Sequence, residues 1–265
     1  MPKKDLIPGT TVRYEFPRLP KTLHALTANT DIPACMQVCL PANYTTSGVF
    51  PILVFIQGGT GAYGDTKDAD HVRRIAGDDG IIGVSLPLFK KEVDPKEVHA
   101  GIMIEAYDDY PIISESYRVM LTRLFKAIPN IDHGKGSIGG FSNGGHTTAL
   151  LLSAVDPFIL KHFSNYFMVD GGNYLASMHK TIMKEKNILY LIGGDREESD
   201  RRTMLQHIED DCAEAKGYGV NITLITMPGV GHAFPEKYFS TLRDWVRSML
   251  AKGQTGGMSD DGRVE

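Results

Sequence analysis

The sequence predicts an α/β fold built on a mostly parallel sheet, and three observations carry that expectation. A short, continuously apolar run rich in β-branched residues at 51–56 reads as a strand covered on both faces. Amphipathic stretches of helical period, such as 112–128 and 201–216, follow it. Strands and helices alternate from residue 50 to residue 250 without a compositional break, which favours one domain.

Taken in order, residues 1–30 hold several prolines and threonines and read as an irregular arm with an edge strand at Thr11–Phe16. The main domain is expected over 31–251. It opens with a strand at 34–40, a polar turn and the buried strand at 51–56, which stops at Gln57-Gly58-Gly59-Thr60-Gly61. A helix over 68–76 and a strand over 80–86 follow. Residues 87–111 lack periodicity and contain Pro87, Pro95 and Pro111, so they read as a long loop, with Phe89, Met103, Tyr107 and Tyr110 offering apolar surface. The helix at 112–128 carries Ile113, Tyr117, Met120, Leu121, Leu124 and Phe125 as its apolar positions, and Pro129 ends it. Then come strand 137–141, helix 147–155, strand 166–169, strand 187–192, helix 201–216, strand Asn221–Met227 and helix 238–250. Residues 252–265, rich in Gly, Ser and Asp, read as a disordered tail.

Composition narrows the partners. At 265 residues the chain is long enough to bury a sizeable core, and 42% hydrophobic with 23% charged residues is ordinary for a globular protein. A net charge of −4 without a run of lysine or arginine argues against nucleic acid. The apolar runs are too short to span a membrane, and no apolar segment follows Lys3-Lys4, so a cytoplasmic location is expected. Cys35, Cys39 and Cys212 form no metal-ligand pattern and read as small buried apolar residues. No metal or other cofactor is expected, and oligomeric state is left open.

The stretch with most chemical content is Gly139-Gly140-Phe141-Ser142-Asn143-Gly144-Gly145-His146. Read as G-x-S-x-G, it places Ser142 on a strand-to-helix turn tight enough to require glycine on either side. A serine hydroxyl is a poor nucleophile; a histidine must take its proton and a carboxylate must hold that imidazole in the right tautomer. Strand ends in an open parallel sheet collect such groups. Here they carry Asp170, Asp195 and His232 after the serine, an order serine, acid, histidine. Of nine histidines, His232 alone lies in a glycine-flanked loop between the last strand and the last helix. His146, four residues down the helix from Ser142, should point away from the hydroxyl. Asp195 is the first choice of acid because it closes the penultimate strand, with Asp170 and Asp200 as alternatives. An oxyanion hole needs two backbone N–H groups, expected from Asn143 and from Gly59.

With these motifs in place, the chain resembles the α/β-hydrolase superfamily. It is similar in particular to the esterase branch that holds feruloyl esterases and polyhydroxybutyrate depolymerases. The resemblance rests on Leu40-Pro41-Ala42-Asn43-Tyr44, Ile131-Asp132, Gly140-Phe141-Ser142-Asn143-Gly144-Gly145 and Gly231-His232, and spans residues 39–250. It implies an eight-stranded, mostly parallel sheet with helices on both faces and no large separate cap. It also implies a cofactor-free Ser142/Asp195/His232 triad that hydrolyses a small ester through an acyl-enzyme. One departure is visible: Gln57 stands where relatives carry histidine before the oxyanion-loop glycine.

Two other functions are compatible with part of this pattern. The same triad could serve an acyltransferase, thioesterase or peptidase. A non-catalytic binding protein of the same fold would show a broken triad, whereas every position here is filled.

Overall fold

In a computed structural model of the chain, residues 6–19, 34–58, 66–78, 80–88, 110–172, 183–194 and 199–255 are described, the side chains of 66–68, 199–203 and 252–255 excepted. Eight strands form one sheet: β1 (Thr11–Phe16), β2 (Ala34–Cys39), β3 (Ile52–Ile56), β4 (Ile82–Leu86), β5 (Gly136–Phe141), β6 (Phe163–Val169), β7 (Asn187–Gly193) and β8 (Asn221–Met227). Their order is β1-β2-β4-β3-β5-β6-β7-β8. β2 runs antiparallel to both its neighbours, and every pairing from β4 to β8 is parallel. The helices are α1 (Thr66–Ala76), α2 (Tyr110–Ala127), α3 (Asn143–Ser153), α4 (Pro157–His162), α5 (Ser199–Gly217) and α6 (Phe239–Thr255).

The period-2 alternation of the central strands divides the core. Ile52, Val54 and Ile56 of β3, with Tyr166 and Met168 of β6, face a layer formed by α2, α3, α4 and α5. Leu53 and Phe55, with Phe167 and Val169, face α1 and α6 through Val72, Ile75, Leu242 and Val246. Burial on both faces explains why these strands lack polar alternation. All three cysteines are free thiols and buried, as their apolar reading expects. No helix of the described residues is long and apolar enough to cross a membrane.

Several boundaries differ from the sequence expectation. α2 begins at Tyr110 and runs through Pro111, which costs nothing in a first turn where the missing N–H has no partner. Tyr110 therefore belongs to the helix, and its hydroxyl donates to Asp156 Oδ2 at 3.1 Å. Phe89, Met103 and Tyr107 lie outside the described residues. α3 starts at Asn143, directly after Ser142, where the glycine pair had suggested a later start. α4 has no counterpart in the sequence reading. It is capped by Asp156, whose Oδ1 accepts the N–H groups of Phe158 and Ile159 at 3.0 and 2.9 Å, and Pro157 fills its first turn. α6 follows a 3-10 turn (Glu236–Tyr238) and continues to Thr255, past the expected domain edge. The remainder of the tail lies outside the described residues.

Candidate active site

The strand order reverses beside β3: the chain moves outward to β4, then returns to place β5 on the other side. Carboxyl ends at such a switch point open a crevice. Gln57-Gly58 leave β3 there and Ser142 leaves β5. The turn at Ser142 is tight in a measurable way. Its φ is 54° and ψ −119°, a region side chains rarely adopt, at a cost on the order of 1–3 kcal/mol. Packing holds it. The Ser142 N–H donates to Val169 O at 2.8 Å, and the His146 N–H donates to Ser142 O at 3.0 Å.

The flanking glycines are steric requirements. A Cβ on Gly140 would lie 2.3 Å from Ile56 O, and one on Gly144 would lie 2.1 Å from the same oxygen. The elbow thus rests backbone to backbone on the end of β3, and the first turn of α3 lies against the strand it follows.

His232 sits in the turn between β8 and α6. Its Nε2 is 2.8 Å from Ser142 Oγ, and its Nδ1 is 2.5 Å from Asp170 Oδ2. Its ring stacks on Phe141, centroids 4.9 Å apart at 30°, so the residue before Ser142 also supports the imidazole. Asp170 closes β6 with a left-handed φ of 48° and is fully buried. Its N–H donates to Leu191 O at 2.8 Å and its Oδ1 accepts from Gly193 N–H at 3.2 Å. With a backbone donor on one oxygen and an imidazole on the other, the buried carboxylate has the partners a charge in that position needs.

The structure therefore brings Ser142 and His232 together as the sequence expected, but the carboxylate on Nδ1 is Asp170. Asp195, the first choice of acid, and the Asp200 side chain lie outside the described residues. An imidazole has one Nδ1, and Asp170 occupies it. Asp170 is the alternative acid, the one that closes the strand before. Its turn runs close to the elbow: a Cβ on Gly171 would come within 2.3 Å of Ser142 O, so the turn after β6 passes directly beside it.

Asn143 is the first residue of α3, and a first-turn N–H has no acceptor within its helix. That leaves it available to an oxyanion, with the helix dipole adding in the same sense. Gly59 lies outside the described residues. Its neighbour Gly58 packs on Phe141, where a Cβ would meet Cδ1 at 2.9 Å, so this loop passes over the residue before Ser142. Gln57 is buried, and its Nε2 has no hydrogen-bond partner among the described residues.

Other histidines are placed elsewhere. His146 Nδ1 accepts the Gly172 N–H at 3.1 Å, so this nitrogen faces the turn that follows Asp170. His133 and His162 approach each other through their Nδ1 atoms at 3.1 Å, at the opposite end of the sheet, where β5 and β6 begin. His71 of α1 is packed among Phe55, Phe234 and Phe239; burial and then the Arg74 charge push its pKa down. No group of three or more metal-ligating side chains occurs among the described residues.

No protein-family model matches the chain, and no curated protein matches it in sequence. Solved structures do. One of two fungal esterases from Rhizomucor miehei aligns over 93% of this chain and 86% of its own at 13% identity, with a TM-score of 0.59. An S-formylglutathione hydrolase from Agrobacterium tumefaciens aligns over 95% and 98% at 14% identity, with a TM-score of 0.58. A fluorophosphonate-binding serine hydrolase from Staphylococcus aureus aligns over 92% and 99% at 14% identity, with a TM-score of 0.55. With its eight-stranded, mostly parallel sheet and helices on both faces, this chain has the α/β-hydrolase fold.

Proposed function

We propose that the protein is a serine carboxylesterase whose triad is Ser142, His232 and Asp170, with Asp170 in the role the sequence first gave to Asp195. One observation carries the reading: a serine oxygen in a strained turn lies 2.8 Å from an imidazole nitrogen whose other nitrogen meets a buried carboxylate at 2.5 Å. Each group has a task. Asp170 keeps the proton on Nδ1, so Nε2 is free to accept the Ser142 proton as Oγ attacks the ester carbonyl. The oxyanion of the tetrahedral intermediate takes the Asn143 N–H, with the Gly59 N–H as second donor. The imidazolium then protonates the departing alcohol, leaving an acyl-enzyme. Water, deprotonated by the same Nε2, releases the acid.

The substrate is a small-molecule ester. Within that class, the likeness of the elbow and of the segments before β3 and β5 to feruloyl esterases and polyhydroxybutyrate depolymerases points to aromatic and hydroxyalkanoate esters as the first to try. A fluorophosphonate probe tests the assignment: it should label the wild type at one site and leave Ser142→Ala unlabelled. Equal labelling of both proteins, or no turnover of p-nitrophenyl acetate by the wild type, would remove it.

A further inference from the structure

We infer that His146 is a positioning residue that holds the acid turn in register with the nucleophile; the inference rests on the triad just proposed. Asp170 is followed by Gly171 and Gly172, and that turn must place a carboxylate oxygen at a fixed distance from His232. Both glycines are structurally required. Gly171 passes too close to Ser142 O for any side chain, and Gly172 has a φ of 84° with Met168 Cγ at 2.8 Å from where its Cβ would lie. Two glycines in succession leave the backbone soft, so the turn needs an external constraint.

That constraint acts on both ends of Gly172. Its N–H donates to His146 Nδ1 at 3.1 Å, and its carbonyl accepts the hydroxyl of Tyr190, a fully buried residue of β7. Burial pushes the Tyr190 pKa far above its ordinary value, so the hydroxyl stays a donor. His146 is placed to link the two turns: its backbone N–H holds Ser142 O at 3.0 Å, while its ring holds Gly172. One residue thereby ties the peptide of the nucleophile to the turn that carries the acid. The role requires an acceptor at Nδ1, hence a ring protonated at Nε2 only. The motif reading did not find this function, because nothing in G-x-S-x-G-G-H says which backbone group the histidine reaches.

The expectation is specific to an acceptor at one place. Asparagine puts its Oδ1 near the position of a histidine Nδ1; leucine fills the space without an acceptor. In His146→Leu, kcat for p-nitrophenyl acetate should fall roughly 10- to 100-fold, the penalty for about an ångström of misplacement, with KM changed by less than about threefold. His146→Asn should recover kcat to within about threefold of the wild type. The far-downfield proton resonance of the His232–Asp170 hydrogen bond, read without substrate, should weaken in His146→Leu and persist in His146→Asn. Tyr190→Phe, which keeps the packing and removes the second hydrogen bond, should lower kcat several-fold at unchanged KM and covers the case of a leucine variant that does not fold. Wild-type kcat in His146→Leu or Tyr190→Phe, or equal damage in the leucine and asparagine variants, overturns the inference while leaving the triad intact. Retained activity in Asp170→Asn would instead remove the triad reading and the inference with it.

Discussion

Replacing Asp170 with asparagine separates the two candidate acids most sharply. The carboxylate is fully buried and its Oδ1 receives the Gly193 N–H at 3.2 Å, a bond that an asparagine Oδ1 can keep. The fold should therefore survive. The other side of the group changes sign: an amide N–H₂ would face His232 Nδ1, where a carboxylate oxygen now lies at 2.5 Å. To avoid two opposed donors, the imidazole must accept at Nδ1 and carry its proton on Nε2. That is the wrong tautomer for a base, because Nε2 is the atom 2.8 Å from Ser142 Oγ. The equivalent substitution in a serine protease triad lowers kcat about 10⁴-fold. A loss of that size corresponds to about 5.4 kcal/mol of transition-state stabilisation. Steady-state hydrolysis of p-nitrophenyl acetate, with active sites counted by the release burst, reads it directly. Asp195→Asn in parallel should stay within about twofold, since Asp170 Oδ2 already takes the single proton of His232 Nδ1. If Asp170→Asn keeps more than about a tenth of wild-type kcat, or Asp195→Asn falls as far, the assignment is refuted.

Two further outcomes bear on stability. Gly144→Ala would place a Cβ 2.1 Å from Ile56 O and 2.9 Å from Gln57 O, backbone atoms that cannot rotate away. A loss of about 3 kcal/mol follows, or a Tm about 6–12 °C lower by calorimetry; an unchanged Tm would contradict the described packing. His71 has its pKa lowered by burial among rings, so the folded state disfavours its charged form. Its neutral form gives full stability above the unfolded pKa of about 6.5, and stability is lost as pH falls below that value. Urea midpoints at about pH 7.5 and 5.5 should separate more for the wild type than for His71→Phe; equal separations would exclude His71 as the cause.

Strands were the most legible part of the chain. Thr11–Phe16 and Asn221–Met227 occupy the residues their patterns indicate, because flanking turns bound them sharply. Helix starts were harder. α3 begins four residues before its composition suggests: its first turn contains Gly144 and Gly145, poor helix formers on their own, retained because only glycine fits against Ile56 O. α4 was missed although Asp156-Pro157 is a start signal, since six residues give no periodicity to read. Of the proposed triad, Ser142 and His232 were picked out by local motifs with distinctive neighbours. The acid was not. Asp170 and Asp195 both follow runs that the sequence reads as strands and both keep the chain order, so the pattern alone does not choose between them; the contact with the imidazole is seen for Asp170.

The contact of Gly140 and Gly144 with Ile56 O has a consequence for how such a chain can change over time. Ser142 is located by carbonyl oxygens and amide hydrogens, atoms that nearly every amino acid supplies in the same place. What the backbone placement of Ser142 demands of heredity is therefore small: Gly140 and Gly144 must stay bare. A likeness in shape can therefore stand with little likeness in letters, as the 13% identity and TM-score of 0.59 to the Rhizomucor miehei esterase illustrate.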